Sequence, residues 1–254
     1  FHKFIFMYLL KFAYDGKLFQ GYAKQPGKYT VEGEIENCLL KSGIKAKIKS
    51  SSRTDKGVSA IGNVIGIYSN DNIKKIFGIL TNAKNLYFYA YAEVNNDFNP
   101  RHAKERWYRY FVLDENYNVE KIKEKSKFFI GEHNFSMFSK KDRRNSIRKI
   151  NSIEINKLDN FIIFDIKGES FLYNMVRRIV GFLLYGEGNP FELGGKFNVP
   201  PEGLILMDVS YNFQFNSYKI KKNISKIYQE IFVRQILYST LWKIKEGRWG
   251  IEPQ

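Results

Sequence analysis

Apolar residues alternate with polar ones, or run together between turn formers, at about 5–14, 45–51, 61–69 and 86–94, which is the pattern of β-strands. Between the first two stretches, Val31, Ile35, Cys38 and Leu39 fall on one helical face, with Thr30 placed to cap its start and Gly43 to end it. A shorter helical patch covers 71–80. The first hundred residues therefore read β-α-β-β-α-β, the split βαβ order of a sheet with helices on one face. After Asn99-Pro100 the order repeats: a strand at 106–113, a helix at 119–130, strands at 148–156 and 160–168, a helix from about 171 to 185, and a strand at 203–211. The pattern predicts an α+β chain of two ferredoxin-like (RRM-like) halves with antiparallel sheets, 1–100 and 101–212, with a cleft between them. A helical extension over 213–254 follows, in which Ile220, Ile224, Ile227 and Ile231 step along one face and Leu237, Leu241 and Ile244 continue it.

Charge narrows the partners. Forty-one Lys and Arg against 26 Asp and Glu leave +15 on 254 residues, a surplus suited to nucleic acid or an anionic membrane surface, or to a thermophile's charged exterior. With aromatics at 17%, the charge sits on a folded body and not on a disordered basic tail. The single cysteine, Cys38, excludes a disulfide within the chain and any cysteine-based zinc site. Three histidines (His2, His102 and His133) give little support to a metal centre. The apolar N-terminus is broken by Lys3 and Lys11 and lacks a signal-peptide cleavage site, and no run approaches the roughly 18 apolar residues of a membrane span. A soluble, cytoplasmic protein is expected, with Met7 a candidate natural start. Two basic stretches stand out. Lys140, Lys141, Arg143, Arg144, Arg148 and Lys149 crowd one loop, and 217–248 carries eight Lys and Arg against two Glu. Each suits either a solvated face or phosphate contact.

The segment Ser51-Ser52-Arg53-Thr54-Asp55-Lys56-Gly57-Val58-Ser59 lies between two predicted strands. A turn alone accounts for Asp and Gly. The flanking Arg53 and Lys56 add a reason for chemistry, since two cations keep an aspartate ionised, as a nucleophile or charge-orienting group requires. There is no P-loop and no G-x-G-x-x-G fingerprint to cradle a nucleotide cofactor, and no RNP1 octamer, because Glu169 follows Lys167-Gly168 where an aromatic belongs.

The stretch Arg53-Thr54-Asp55-Lys56-Gly57-Val58-Ser59-Ala60 resembles the catalytic signature of the TruA-type tRNA pseudouridine synthases, with Ser52 in place of its first glycine. Further blocks resemble that family in order: Tyr14-Asp15-Gly16 through Gly21-Tyr22-Ala23-Lys24-Gln25, Asp97-Phe98-Asn99-Pro100-Arg101 with Arg106-Trp107-Tyr108-Arg109-Tyr110, Gly131-Glu132-His133-Asn134-Phe135, Phe171-Leu172-Tyr173-Asn174-Met175-Val176-Arg177, and Pro201-Glu202-Gly203-Leu204. Tyr22 stands where the family usually has tryptophan.

The resemblance implies a basic cleft between the halves and a cofactor-free isomerisation of uridine in the anticodon stem-loop of tRNA, at tRNA positions 38 to 40. It implies a homodimer with one tRNA lying across both subunits. Asp55 takes the catalytic role, whether it attacks ribose or base or abstracts a proton, and Arg177 pairs with its carboxylate. Tyr108 stacks on the extracted base and Leu204 floors the pocket. Arg53 follows the flipped nucleotide. Lys56, Lys24, Gln25, Arg143 and Arg144 serve as further substrate contacts. The competing expectation is a non-catalytic RNA-binding protein built from tandem RRM-like domains.

Overall fold

A computed structural model describes residues 6–139, 145–218, 225 and 227–233. They fall into two compact units, one within Phe1–Trp107 and Leu206–Ile227, the other within Tyr108–Ile205 and Tyr228–Gln254. The chain is α+β. The first unit opens with β1 (Phe6–Tyr14), α1 (Val31–Lys41), β2 (Ala46–Ser50), β3 (Ser59–Ser69), α2 (Ile73–Leu80) and β4 (Tyr87–Val94). Next come β5 (Glu105–Leu113), which is in the second unit from Tyr108 onward, then α3 (Val119–Ser126), β6 (Gly131–Asn134), β7 (Ile147–Leu158), β8 (Phe161–Gly168), α4 (Met175–Tyr185) and α5 (Pro190–Leu193). The strands β9 (Leu204–Ser210) and β10 (Asn216–Ser217) complete the set.

In the first unit β1 lies antiparallel between β3 and β4, with Leu9 opposite both Gly66 and Ala92, and β2 pairs with β3 through Ile48 and Ile67. All eleven residues of β3 are buried, as befits a strand covered on both faces. The helices begin where the pattern places their caps: Thr30 Oγ1 accepts from the Gly33 amide at 3.2 Å and Asn72 Oδ1 from the Lys75 amide at 3.0 Å. Phe12 and Phe88, from β1 and β4, stack at 5.0 Å, and Phe77 of α2 meets Phe88 edge-on.

In the second unit β7 pairs antiparallel with β6 and with β8, with Ile155 opposite Phe164. Phe129, Phe135, Phe138, Phe182 and Phe191 form its aromatic cluster.

Two expectations change. The helix expected from about 171 starts at Met175, because Asn174 takes left-handed backbone (φ 63°) and a turn closes from the Met175 amide to the Leu172 carbonyl. The extension is not helical at its start: Asn216 and Ser217 pair with Tyr91 and Ala90 as an edge strand. Helix is present at 225 and 227–233, where Ile227 and Ile231 are buried. Ile220, Ile224, Leu237, Leu241 and Ile244 lie outside the described residues.

Candidate active site

The loop from Ser51 to Val58 leaves β2 and enters β3, and its shape is set by what it touches. Gly57 takes a positive φ of 88°, and the Val58 amide donates back to the Asp55 carbonyl at 3.2 Å, so a tight turn carries Asp55 at its start. The loop packs against the segment that follows β1. A Cβ on Gly16 would run into the Val58 carbonyl, and the Gly16 amide donates to Ser59 Oγ at 3.1 Å. The Tyr22 amide donates to the Thr54 carbonyl at 3.2 Å.

Beneath the loop runs a chain of buried polar groups. Tyr14 and Thr54 share a hydroxyl–hydroxyl bond of 2.7 Å, and the Asn63 amide group donates both to the Tyr14 hydroxyl and to the Ser52 carbonyl at 3.1 Å. Arg106 Nε donates to Ser52 Oγ at 2.9 Å, and the Tyr211 hydroxyl contacts Ser51 Oγ at 2.9 Å while donating to the Pro100 carbonyl at 2.6 Å. Ser51, Ser52 and Thr54 are buried, whereas Asp55 is half-buried and Arg53 and Lys56 are exposed. The arrangement fixes the backbone on which the half-buried Asp55 stands, with the exposed Arg53 and Lys56 close to it in sequence.

Arg53 Nη2 lies 3.9 Å from Glu32 Oε1, and the same oxygen accepts from Ser50 Oγ at 2.7 Å. Lys24 is engaged with α1: its amide donates to Glu32 Oε2 at 3.0 Å and its ammonium pairs with Glu36 at 2.5 Å. That contact holds the Lys24 ammonium protonated to higher pH than usual, chiefly through the hydrogen bond to Glu36. Gln25 Oε1 accepts from Lys28 Nζ at 2.9 Å.

In the second unit Tyr108 is 8% exposed, with its ring edge-on to Phe171 at 5.2 Å. Its neighbour Tyr110 points its hydroxyl to the Pro200 carbonyl at 2.8 Å, and burial pushes its ionisation upward. Arg177 stands in the first turn of α4, where Nε donates to the Val199 carbonyl at 2.7 Å and Nη1 to Asn174 Oδ1 at 3.2 Å. The left-handed Asn174 is thus both the start of the helix and a brace for the guanidinium. Leu204, at the head of β9, is buried. Arg143 and Arg144 lie outside the described residues, with Lys140 and Lys141; Arg148 turns its Nη1 onto the Asn145 and Ile147 carbonyls.

The structure therefore gathers Asp55, Arg53 and Lys56 on one loop, with Lys24 and Gln25 on the adjoining segment, and sets Tyr108, Arg177 and Leu204 in the other unit. Sequence reasoning missed Asn63, Tyr14, Arg106 and Tyr211. Asn63 carried a readable sign, a lone amide inside the apolar run Ile61-Gly62-Asn63-Val64-Ile65.

The family model for tRNA pseudouridine synthase matches residues 126–190. The tRNA pseudouridine synthase A of Pyrococcus furiosus is 40% identical over 257 residues, spanning 93% of this chain and 95% of its own. That of Pyrococcus abyssi is 42% identical over 233 residues, spanning 84% and 88%. Among solved structures, a chain from a Cbf5-Nop10-Gar1 complex aligns over 78% of this chain and 48% of its own at 15% identity and a TM-score of 0.42, too distant to weigh. With that identity across nearly the whole chain, the protein belongs to the TruA family and is a tRNA pseudouridine synthase, an isomerase.

Proposed function

We propose that the substrate is uridine on the 3′ side of the anticodon stem-loop of tRNA, with Asp55 as the catalytic carboxylate. The observation that carries this reading is the presentation of Asp55: half-buried, at a tight turn, on a backbone whose buried neighbours on either side are hydrogen-bonded. Isomerisation breaks the N1–C1′ bond, turns the base and forms a C5–C1′ bond. C5 loses a proton and N1 gains one, so no electrons enter or leave and no redox cofactor is called for. Attack on ribose, attack on base and proton abstraction all require an ionised carboxylate held at the base–ribose junction, and a fixed backbone supplies that placement.

In this reading Arg177 pairs with the Asp55 carboxylate, Tyr108 stacks on the extracted uracil, Leu204 floors the pocket and Arg53 follows the flipped nucleotide. Lys56, Lys24, Gln25, Arg143 and Arg144 contact the flanking RNA. The enzyme works in the cytoplasm as a homodimer with one tRNA across both subunits, the 1–100 half carrying the aspartate and the 101–212 half the arginine.

Asp55→Ala is expected to abolish pseudouridine formation while tRNA binding stays within about twofold, since a carboxylate contributes no phosphate contact. A chemical pseudouridine map of treated tRNA alongside filter binding checks this. Wild-type conversion by the variant removes Asp55 from the mechanism, and modification confined to another arm of the tRNA removes the anticodon assignment.

A further inference from the structure

The buried polar side chains of the first unit are unevenly distributed. Ser50, Ser51, Ser52, Thr54 and Ser59, all less than a tenth exposed, sit within ten consecutive residues. Two further buried polar side chains, Asn63 and Arg106, aim donors at the same stretch. Arg106 is 6% exposed. Its Nε donates to Ser52 Oγ at 2.9 Å, and its Nη2 to the Ser51 carbonyl at 3.2 Å and the Arg101 carbonyl at 2.9 Å. A guanidinium is planar and rigid, so acceptors reached from one fork are fixed relative to one another. One side chain thereby ties 51–52 to 101. Burying a cation is costly, and apolar side chains of similar size often stabilise a fold as well or better. Stability alone is therefore a weak reason for an arginine at this position.

The geometry supplies a stronger one. Ser52 is three residues before Asp55, and only Arg53 and Thr54 intervene. Thr54 is itself pinned through Tyr14. The aspartate hangs from a backbone fastened at 51–52 by Arg106, at 52 and 54 by Asn63 and Tyr14, and at 59 by Gly16. The Arg106–Ser52 bond uses a hydroxyl that a glycine at position 52 would lack.

We infer that Arg106 is a positioning residue for the isomerisation, its fork holding Ser51 and Ser52 so that the Asp55 carboxylate keeps one placement. The inference rests on Asp55 being the catalytic carboxylate. Lysine keeps the charge at 106 but offers one ammonium where the fork spans several acceptors, so Arg106→Lys loosens the start of the loop without removing a cation.

The test is single-turnover pseudouridine formation at saturating enzyme on an unmodified tRNA transcript that the wild type converts. It compares the wild type with Arg106→Lys, Ser52→Ala, their combination and Asp55→Asn, together with tRNA affinity and circular dichroism. Arg106→Lys is expected to slow conversion by about 10- to 100-fold, the scale of a misplacement near 1 Å, with affinity within about twofold and an unchanged spectrum. Ser52→Ala slows it less, and adds little in the Arg106→Lys background, because both act through one bond. The pH–rate profile keeps its shape, since placement is lost and no titrating group is.

A wild-type rate per folded molecule in Arg106→Lys overturns the inference, as do fully multiplicative effects of the two substitutions. A displaced pH profile also overturns it, because Arg106 would then act on the charge of Asp55. Should Arg106→Lys fail to fold, Ser52→Ala decides: a wild-type rate there refutes positioning and a slowed rate with intact affinity supports it. Asp55→Asn separates the two levels. Activity in that variant defeats the Asp55 reading itself, whereas an inactive Asp55→Asn beside a fully active Arg106→Lys defeats positioning alone.

Discussion

The Tyr211 hydroxyl, held between the Pro100 carbonyl and Ser51, illustrates how much single polar atoms do at the start of the loop that carries Asp55. Burial pushes its ionisation from 10.0 up to about 12, with Asp208 adding to the rise and the Ser51 hydrogen bond and Arg106 opposing it. A tyrosine that stays protonated to higher pH when folded stabilises the native state fully below its unfolded value near 10, and loses that contribution as pH climbs through the folded value near 12. Thermal melts should therefore show a transition temperature that falls from about pH 10 upward, Tyr110 contributing in the same direction. Tyr211→Phe should cost about 1 kcal/mol at neutral pH through its lost hydrogen bonds and flatten part of the alkaline decline. At this scale the sequence was partly legible. The flanking cations drew attention to Asp55 and the apolar surroundings of Asn63 left a sign that was not used, but Arg106 and Tyr211 look like ordinary strand-end residues until the chain folds a loop from more than 50 residues away onto them.

Elements were more readable than single residues, because periodicity follows from burial of one face. Strands β1 to β5 and β7 to β9 and helices α1 to α3 fall within a few residues of where the pattern places them. What escaped was short or decided by backbone geometry. The four-residue β6 and the two-residue β10 carry too few positions to show a period, and the left-handed Asn174 shortens α4 from within an apolar run. Between elements of the second unit, Arg109 of β5 grips Asp165 of β8 through two bonds of 2.8 Å, the carboxylate only 6% exposed. The alternation of β5 puts Arg109 opposite in facing to Tyr108 and Tyr110, so this clamp steadies the strand that carries the base-stacking candidate. Asp165→Ala leaves a half-buried guanidinium without this carboxylate and should cost about 2 kcal/mol, visible as a lower urea midpoint with an unchanged slope.

Across the whole molecule the +15 surplus no longer reads as a uniform coat. Lys24 is committed to Glu36, Lys11 to Asp208 and Arg109 to Asp165, and Arg106 is buried against carbonyls and a hydroxyl. Arg53 and Lys56 remain exposed beside Asp55. tRNA affinity should fall linearly on logarithmic axes between 50 and 200 mM salt, by about tenfold or more, with a slope that counts the phosphates engaged. Lys56→Ala should reduce that slope by about one unit, read by filter binding across the same range. The β-α-β-β-α-β order of the first hundred residues was legible from pattern alone, whereas the second unit adds β6 and α5 to the order expected of it. The pairing of particular cations was not, since it depends on partners far apart in the chain.

Gly16 bears on how this loop could be moved or borrowed. Its missing Cβ lets the turn after β1 lie against the Val58 carbonyl, so two segments more than forty residues apart share one surface with no slack. Residues 51–59 are therefore no portable cassette. Transplanted alone into another scaffold, they would lose the wall formed by Tyr14 and Gly16 and the ties from Asn63 and Arg106, and the aspartate would arrive without an address. The smallest transferable unit is discontinuous, made of three pieces of chain, around Tyr14 and Gly16, from Ser51 to Asn63 and at Arg106, that meet only after the sheet has formed.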